Sequence, residues 1–265
     1  YLLATKYGLV NCFYYLKSNN FKLHNLTCEY ASKYGQLNCL KYAYNNGYQM
    51  NIMICNKSAE YNNLDCLEYV YNKCGIINYE TCKCAISTDS IDCLKFLHEN
   101  GCNLDDYICE FAFRYNSLNC LKYINKMGIP LHDDSCLYAC KMDNINLLKY
   151  SHENDIKLDY KCCFKCCEIG SLECLKYCHL NGCKLNEISP NGELITTIAA
   201  KNGHIDCLKY LIQNNVGYDS VTCWQTALNG HLNCLKYLHE NNCNWDKYTC
   251  YYAASNGHLN CLKYL

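Results

Sequence analysis

The sequence is poor in proline, in arginine and in long apolar runs. Two prolines and a single arginine occur in 265 residues, and the formal net charge is −1. A near-neutral chain lacks the basic surface that nucleic-acid binding requires, so no nucleic-acid partner is expected. No apolar run approaches the ~18 residues of a membrane-spanning helix. We therefore expect neither a membrane partner nor a signal peptide.

The sequence also lacks the short motifs of common enzymes. It contains no GxxxxGK[ST] phosphate loop, no GxGxxG fingerprint, and no Ser/His/Asp or Cys/His arrangement with a supporting motif. The nine histidines are spread along the chain rather than gathered in one segment. We therefore expect no enzyme activity, no catalytic residue, no cofactor and no small-molecule substrate.

What the sequence has in abundance is one repeated string, NCLKYL or a variant of it. The string recurs at Cys12, Cys39, Cys66, Cys93, Cys120, Leu147, Cys174, Cys207, Cys234 and Cys261. The spacing is 27 residues throughout, except for 33 residues between Cys174 and Cys207. Since no linker separates the units, residues 1–265 are predicted to form a single array of about ten repeats. The chain starts with Tyr1 and ends inside a repeat, so we expect it to be a fragment of a longer array.

Each repeat reads as two short helices. Cys250, Ala253 and Ala254 follow the i, i+3, i+4 spacing of one helix face, and Cys261 and Leu265 lie on one face of the next helix. A position between the helices holds only residues that tolerate a left-handed backbone. These are Gly8, Gly35, Asn62, Asp89, Asn116, Asp143, Gly170, Gly203, Gly230 and Gly257.

The start of the first helix in most repeats is marked by a capping residue. The predicted caps are Asn51, Asn78, Asp105, Asp159, Asp219 and Asp246. A single helix pair cannot bury its own apolar face, but stacked pairs can. The sequence therefore predicts an all-α solenoid of about ten helix-turn-helix repeats.

The segments AASNGHLNCLKYL (253–265) and AAKNGHIDCLKYL (199–211) resemble the two helices of the ankyrin repeat and the Gly-His step between them. The usual ankyrin period is 33 residues, so most repeats here resemble ankyrin repeats without the β-hairpin finger. The one long repeat restores six residues, Glu187 to Gly192. CLKYLHENNCNWD (234–246) further resembles the arrays of giant amoeba-infecting viruses, which implies a host–virus role.

Cysteine is plentiful, with 27 residues. Most fall in core-facing repeat positions, where free thiols serve as small apolar side chains, so we expect a reducing compartment and cytoplasmic localisation. The densest segment is Cys162-Cys163-x-x-Cys166-Cys167. A metal could be held by Cys162 and Cys166 with Cys178 or His179, but no paired CxxC motifs occur. Core packing is favoured, and no metal is expected.

The outer positions of the first helices vary between repeats, whereas the scaffold positions are uniform. By resemblance to ankyrin arrays, they line a concave face that binds a partner protein, and aromatic and arginine side chains are suitable anchors. The predicted contact residues are Tyr30, Lys33, Phe111, Arg114, Tyr138, Lys141, Lys201, Gln225 and Tyr252. A protruding loop with Ile188, Pro190 and Asn191 is a second candidate. The alternative is sequence drift on an unused surface.

These observations favour a non-enzymatic protein-interaction scaffold. By resemblance, such an array can be the recruiting arm of a ubiquitin-ligase adaptor whose F-box lies outside this segment. One alternative is a structural component of a virion or other large assembly. A lesser alternative is a thiol-rich metal or redox protein.

Overall fold

A computed structural model describes residues 1–265 as twenty α-helices without a named strand. They form two compact units, residues 1–132 and 133–265. The first unit contains α1 (Leu2–Lys6), α2 (Val10–Ser18), α3 (Thr27–Lys33), α4 (Leu37–Asn45), α5 (Ile52–Glu60), α6 (Leu64–Cys74), α7 (Tyr79–Ile86), α8 (Ile91–Glu99), α9 (Asp106–Arg114) and α10 (Leu118–Lys126). The second contains α11 (Ser135–Lys141), α12 (Ile145–Glu153), α13 (Tyr160–Ile169), α14 (Leu172–Leu180), α15 (Ile195–Lys201), α16 (Ile205–Gln213), α17 (Ser220–Leu228), α18 (Leu232–Glu240), α19 (Lys247–Ser255) and α20 (Leu259–Tyr264).

The predicted all-α fold of helical pairs is confirmed. Within each unit, odd-numbered helices pack on the next odd-numbered helix, and even-numbered helices pack on the next even-numbered one. This is the stacking of an α-solenoid, in which each repeat contacts its neighbours. That residues 1–265 form a single array stays a prediction. None of the twenty helices combines the length and apolar character that crossing a membrane needs.

Turn and cap chemistry explains where the helices begin and end. All ten predicted Gly, Asn and Asp turn positions have positive φ, from +50° at Asp143 to +89° at Gly170. All six predicted caps accept a backbone N–H bond from the first turn of their helix. Asp219, for example, accepts from the Thr222 N–H at 3.0 Å. Each such cap stabilises its helix by about 1 kcal/mol.

The core of each unit is built from small and medium side chains. Leu94, Cys93 and Ala85 are fully buried, and the equivalent positions of most other repeats are buried too. Short alanine and cysteine side chains let the first helices approach closely, while each buried leucine contributes about 1.5–3 kcal/mol. Periodic burial therefore fixes the register of neighbouring repeats.

Histidines link consecutive repeats through polar contacts. His204 Nε2 lies 3.0 Å from the Glu168 carbonyl oxygen, and His258 Nε2 lies 2.9 Å from that of Leu228. These carbonyls lie near the ends of the preceding first helices, where they lack helical partners. A second series of contacts joins histidine and tyrosine on the even-numbered helices. His98–Tyr123, His152–Tyr177, His179–Tyr210 and His239–Tyr264 lie 2.8–3.0 Å apart, from Nδ1 to hydroxyl oxygen.

Twenty-five cysteines are free, and most are buried. Cys82 and Cys102 instead form a disulfide, with their Cα atoms 7.1 Å apart. The expectation of free thiols is therefore wrong for this pair. The repeat period shows which positions recur along the chain, but not which different positions come within bonding distance. The disulfide joins two different positions, one on α7 and one just after α8.

Candidate partner-binding site

The inserted loop of the long repeat forms one wall of a groove in the second unit. The groove encloses about 440 Å³. It is lined by Leu137, Tyr160, Lys161, Phe164, Lys165, Glu168, Ser189, Pro190, Asn191, Glu193, Ile198, Lys201 and Asn202. The groove thus brings Pro190 and Asn191 of the predicted loop beside Lys201 of the predicted first-helix surface.

Internal contacts hold the loop against α15. Ser189 N–H donates to the Glu193 carbonyl at 3.0 Å, and Ser189 Oγ accepts from the Glu193 N–H at 2.9 Å. A single antiparallel bridge joins Ile188 to Leu194. Lys201 Nζ lies 2.6 Å from Glu193 Oε1, and both side chains are about a quarter exposed (28% and 23%). The loop is therefore a short β-like finger pinned to the helix that follows it.

That ion pair changes the role predicted for Lys201. The sequence predicted an outward anchor for a partner, whereas the structure pairs its ammonium group with Glu193 of the same chain. Pro190 and Asn191 are exposed on the groove wall, as a contact loop requires. Ile188 is 58% exposed but does not line the groove.

The helices that line the groove contribute aromatic and apolar side chains, together with charged side chains that form ion pairs. Tyr160 and Phe164 pack edge to face with ring centroids 5.9 Å apart. Ile198 also lines the groove, although only 9% of its surface is exposed. Lys165 pairs with Glu168 at 2.6 Å. The lysines next to these rings form ion pairs within the chain. The groove therefore offers apolar contact area rather than a strongly positive or negative electrostatic potential.

Sequence reasoning missed Leu137, Tyr160 and Phe164. Phe164 belongs to a third variable first-helix position, directly after the repeated cysteine. Its equivalents are Glu29, Asn56, Lys83, Glu110, Leu137, Thr197, Trp224 and Tyr251. This variability was the available signal, and it resembles that of the two positions chosen.

A second groove, in the first unit, contains Phe111 and Arg114. It encloses about 620 Å³ and also exposes Tyr79, Lys83, Asp105, Tyr107 and Glu110. Phe111 stacks on Tyr115 with centroids 4.4 Å apart, and Arg114 pairs with Glu110 at 2.9 Å. Burial, with the hydrogen bond to Asp105, raises the pKa of Tyr79 to about 12. The Tyr79 hydroxyl therefore stays protonated and donates to Asp105 at neutral pH.

The remaining predicted contact residues lie apart from these grooves. Lys33 Nζ sits 5.0 Å from the Tyr61 ring centroid, and its hydrogen bond with Tyr61 raises its pKa. Tyr30 lies beside Tyr34, with ring centroids 6.0 Å apart. In the second unit, Tyr252 packs on Trp224 at 4.9 Å. Tyr138 and Gln225 are half-buried, and Lys141 is exposed on α11.

The densest cysteine segment brings its thiols to one place. Cys140, Cys166 and Cys178 have sulfur atoms within 4.8 Å of one another, and so do Cys163, Cys178 and Cys183. Cys178 thus joins Cys166, as the metal interpretation of the sequence required. His179 does not take part, because its Nδ1 contacts the Tyr210 hydroxyl at 2.8 Å.

Comparison with known proteins agrees with the helical architecture. A search of curated proteins finds no match to this sequence. Residues 136–249 match the family model described as ankyrin repeats in three copies. Ankyrin repeats are general protein–protein interaction modules. Both the long repeat and the groove beside its loop lie within the matched residues.

Proposed function

We propose that this protein is a non-enzymatic scaffold that binds a partner protein through the outer surface of its first helices. The contact centres on the groove beside Pro190 and Asn191. The observation that supports it is the meeting of the one inserted loop with variable aromatic side chains in a single groove. In a solenoid, uniform positions maintain stacking, whereas local insertions on one face commonly serve binding.

The chemistry of the groove indicates the kind of segment that it binds. Phe164, Tyr160 and Ile198 offer an apolar surface, and Lys165 and Lys201 are already paired with Glu168 and Glu193. A partner segment with one aromatic or aliphatic side chain at its centre suits this surface. Such an anchor, fully desolvated, supplies most of the energy in protein interfaces.

The test is affinity capture of the full chain from cells, read by quantitative mass spectrometry, with wild type compared to Phe164→Glu. Glutamate occupies the same repeat position at Glu29 and Glu110, so the fold should tolerate this change. We expect partner recovery to fall at least tenfold, because a carboxylate would be desolvated in the groove.

The matched control is Asn233→Glu, at an exposed position of α18. It adds the same charge, and glutamate occurs at the equivalent Glu173. The control should capture the partner as wild type does. Equal recovery by Phe164→Glu and wild type would overturn the groove as the contact.

We further propose, on family resemblance, that the partner is a client recruited for ubiquitin ligation and that the chain has a giant-virus origin. A reducing, cytoplasmic environment is proposed from the 25 free cysteines. Ligase subunits in the captured set would support the adaptor role. Virion proteins at fixed stoichiometry would support the structural alternative instead.

A further inference from the structure

One cluster of cysteines in the second unit is not explained by the repeat. Twenty of the 27 cysteines occupy three repeat positions where cysteine recurs along the chain. Five of the other seven fall between residues 140 and 178. They are Cys140, Cys162, Cys166, Cys167 and Cys178.

At most of these positions the other repeats use a different small or apolar side chain. The position of Cys166 holds Ala31, Ala85, Ala112, Ala139, Ala199 and Ala253, with Ser58 and Thr226. The position of Cys178 holds Leu16, Ala43, Val70, Leu97, Ile124, Ser151, Leu211, Leu238 and Leu265. Packing is therefore satisfied without a thiol at either position.

The extra cysteines converge in space although they come from three helices. Cys140 lies on α11, Cys162 and Cys166 on α13, and Cys178 on α14. The Cys140 and Cys178 sulfur atoms are 3.9 Å apart. Cys166 completes a trio whose sulfur atoms all lie within 4.8 Å of one another. The buried Cys162 lies one helical turn before Cys166, on the same side of α13.

These separations suit thiolates around a single metal ion. With Zn–S bonds of about 2.3 Å, tetrahedral geometry places neighbouring sulfur atoms about 3.8 Å apart. Thiolate ligands select thiophilic ions such as Zn²⁺ and Cu⁺ over hard cations. We propose that Cys140, Cys166 and Cys178, with Cys162 as a fourth ligand, form a buried site for one thiophilic d¹⁰ metal ion.

Cys178 is the central ligand of this site. It belongs to the trio with Cys140 and Cys166 and also to a second trio with Cys163 and Cys183. It is therefore the ligand that both trios share, and its removal affects both.

Metal binding releases the thiol protons of the cysteine ligands, so the charge of the site can be counted. Zn²⁺ that displaces the three thiol protons of Cys140, Cys166 and Cys178 leaves a site of net charge −1, and a fourth thiolate from Cys162 leaves −2. All four thiols are buried, so the ion is shielded from water. It links α11, α13 and α14, which belong to consecutive repeats. We expect the metal to stabilise the second unit.

The test uses the full chain purified without oxygen, with a phosphine reductant and no chelator. Zn²⁺ and Cu⁺ are titrated separately against a chromogenic chelator, and the thermal midpoint is measured with and without metal. Wild type should bind at least one ion per chain and unfold at a higher temperature when loaded. Preference for Zn²⁺ or for Cu⁺ identifies the ion, and either result supports the site.

The decisive variant is Cys178→Ala, which places alanine where Ala43 already stands. It should lose at least tenfold in affinity and lose the metal-dependent stabilisation. The matched control is Cys234→Ala, which removes a buried cysteine whose pKa is raised by burial and by Asp206, without a thiol partner. The control should bind metal as wild type does.

A second variant separates the loss of metal ligands from the loss of folded structure. Cys140→Ala with Cys166→Ala removes two ligands and restores the alanines of Ala200 and Ala199 at equivalent positions. It should fold, as judged by circular dichroism, and fail to bind metal. No metal binding by folded wild type, or unchanged binding in both variants, would overturn the proposal.

Discussion

At the scale of single residues, Gly203 occupies a position that requires glycine for two separate reasons. Its φ of +78° lies in the left-handed region, and a Cβ there would sit 2.5 Å from His231 Nδ1. Gly170 and Gly230 stand in the same relation to His204 and His258. In the repeats that use Asn or Asp at the turn, such as Asn62 and Asp89, the next repeat has no histidine at this step. A histidine at this step therefore occurs only where the turn of the preceding repeat is a glycine.

We predict that Gly203→Ala lowers the free energy of unfolding by more than the ~1–2 kcal/mol that left-handed strain alone costs. The excess arises because the His231 ring must move away from the added Cβ and from its backbone partner at Lys201. The measurement is urea denaturation of the full chain. The control is Gly182→Ala, where φ is +96° but no atom lies within 4 Å of the added Cβ. Equal losses in both variants would contradict the proposed contact.

His231 also makes stability depend on pH. Burial lowers the pKa of His231, and the nearby His204 and His258 lower it further, although the backbone hydrogen bond at Lys201 acts in the opposite direction. Since the folded-state pKa lies below the unfolded value of ~6.5, the unfolded chain binds the proton more tightly. The stabilisation is therefore complete above that unfolded value and is lost as pH falls through the lower folded pKa.

We predict that wild type loses stability between pH 7.5 and 5.5 and that His231→Asn loses less. Asparagine fits the site, because Asn63 occupies the same repeat position and donates to the Ser32 carbonyl at 2.7 Å. Thermal unfolding across this pH range provides the measurement. An identical pH slope for both proteins would show that His231 does not contribute to it.

At the scale of elements, the inserted loop can be separated from the repeat that bears it. Removing Glu187 to Gly192 joins Asn186 to Glu193 and restores the 27-residue spacing. Asn186 then stands where most other repeats have a helix-capping Asn or Asp. The shortened repeat should therefore start α15 with an ordinary N-cap.

We predict that this deletion keeps the helical content and the thermal midpoint close to those of wild type and abolishes partner capture. The reason is that the loop contributes a groove wall but few buried side chains. Circular dichroism and the capture assay give the two readings. Capture at the wild-type level by the folded deletion variant would contradict the role given to the loop.

At the scale of the whole molecule, the repeat made most of the fold predictable. Ten positive-φ turns and six helix caps follow from local backbone chemistry, so recurrent Gly, Asn and Asp positions identify them. Contacts between different repeat positions were less predictable. The Cys82–Cys102 disulfide and the meeting of Cys140 with Cys178 depend on how neighbouring helices pack, which the period of the sequence does not specify.

The predicted contact residues show the same limit. Variability identified the outer positions of the first helices, but it could not tell that Lys201 pairs with Glu193 or that Phe164 borders the loop. Both depend on the fold of the six-residue insertion, which has no copy elsewhere in the chain. A comparison of repeats within one sequence cannot predict the structure of a segment that occurs in only one repeat.

The most direct measurement of the central claim is photo-crosslinking from the groove in cells. A benzophenone amino acid replaces exposed Asn191 in one protein and exposed Glu240, on α18, in another. Irradiation from position 191 should yield one enriched protein adduct that position 240 does not, because the partner covers the groove. An adduct from position 240 alone, or none from position 191, would contradict a partner-binding groove beside the loop.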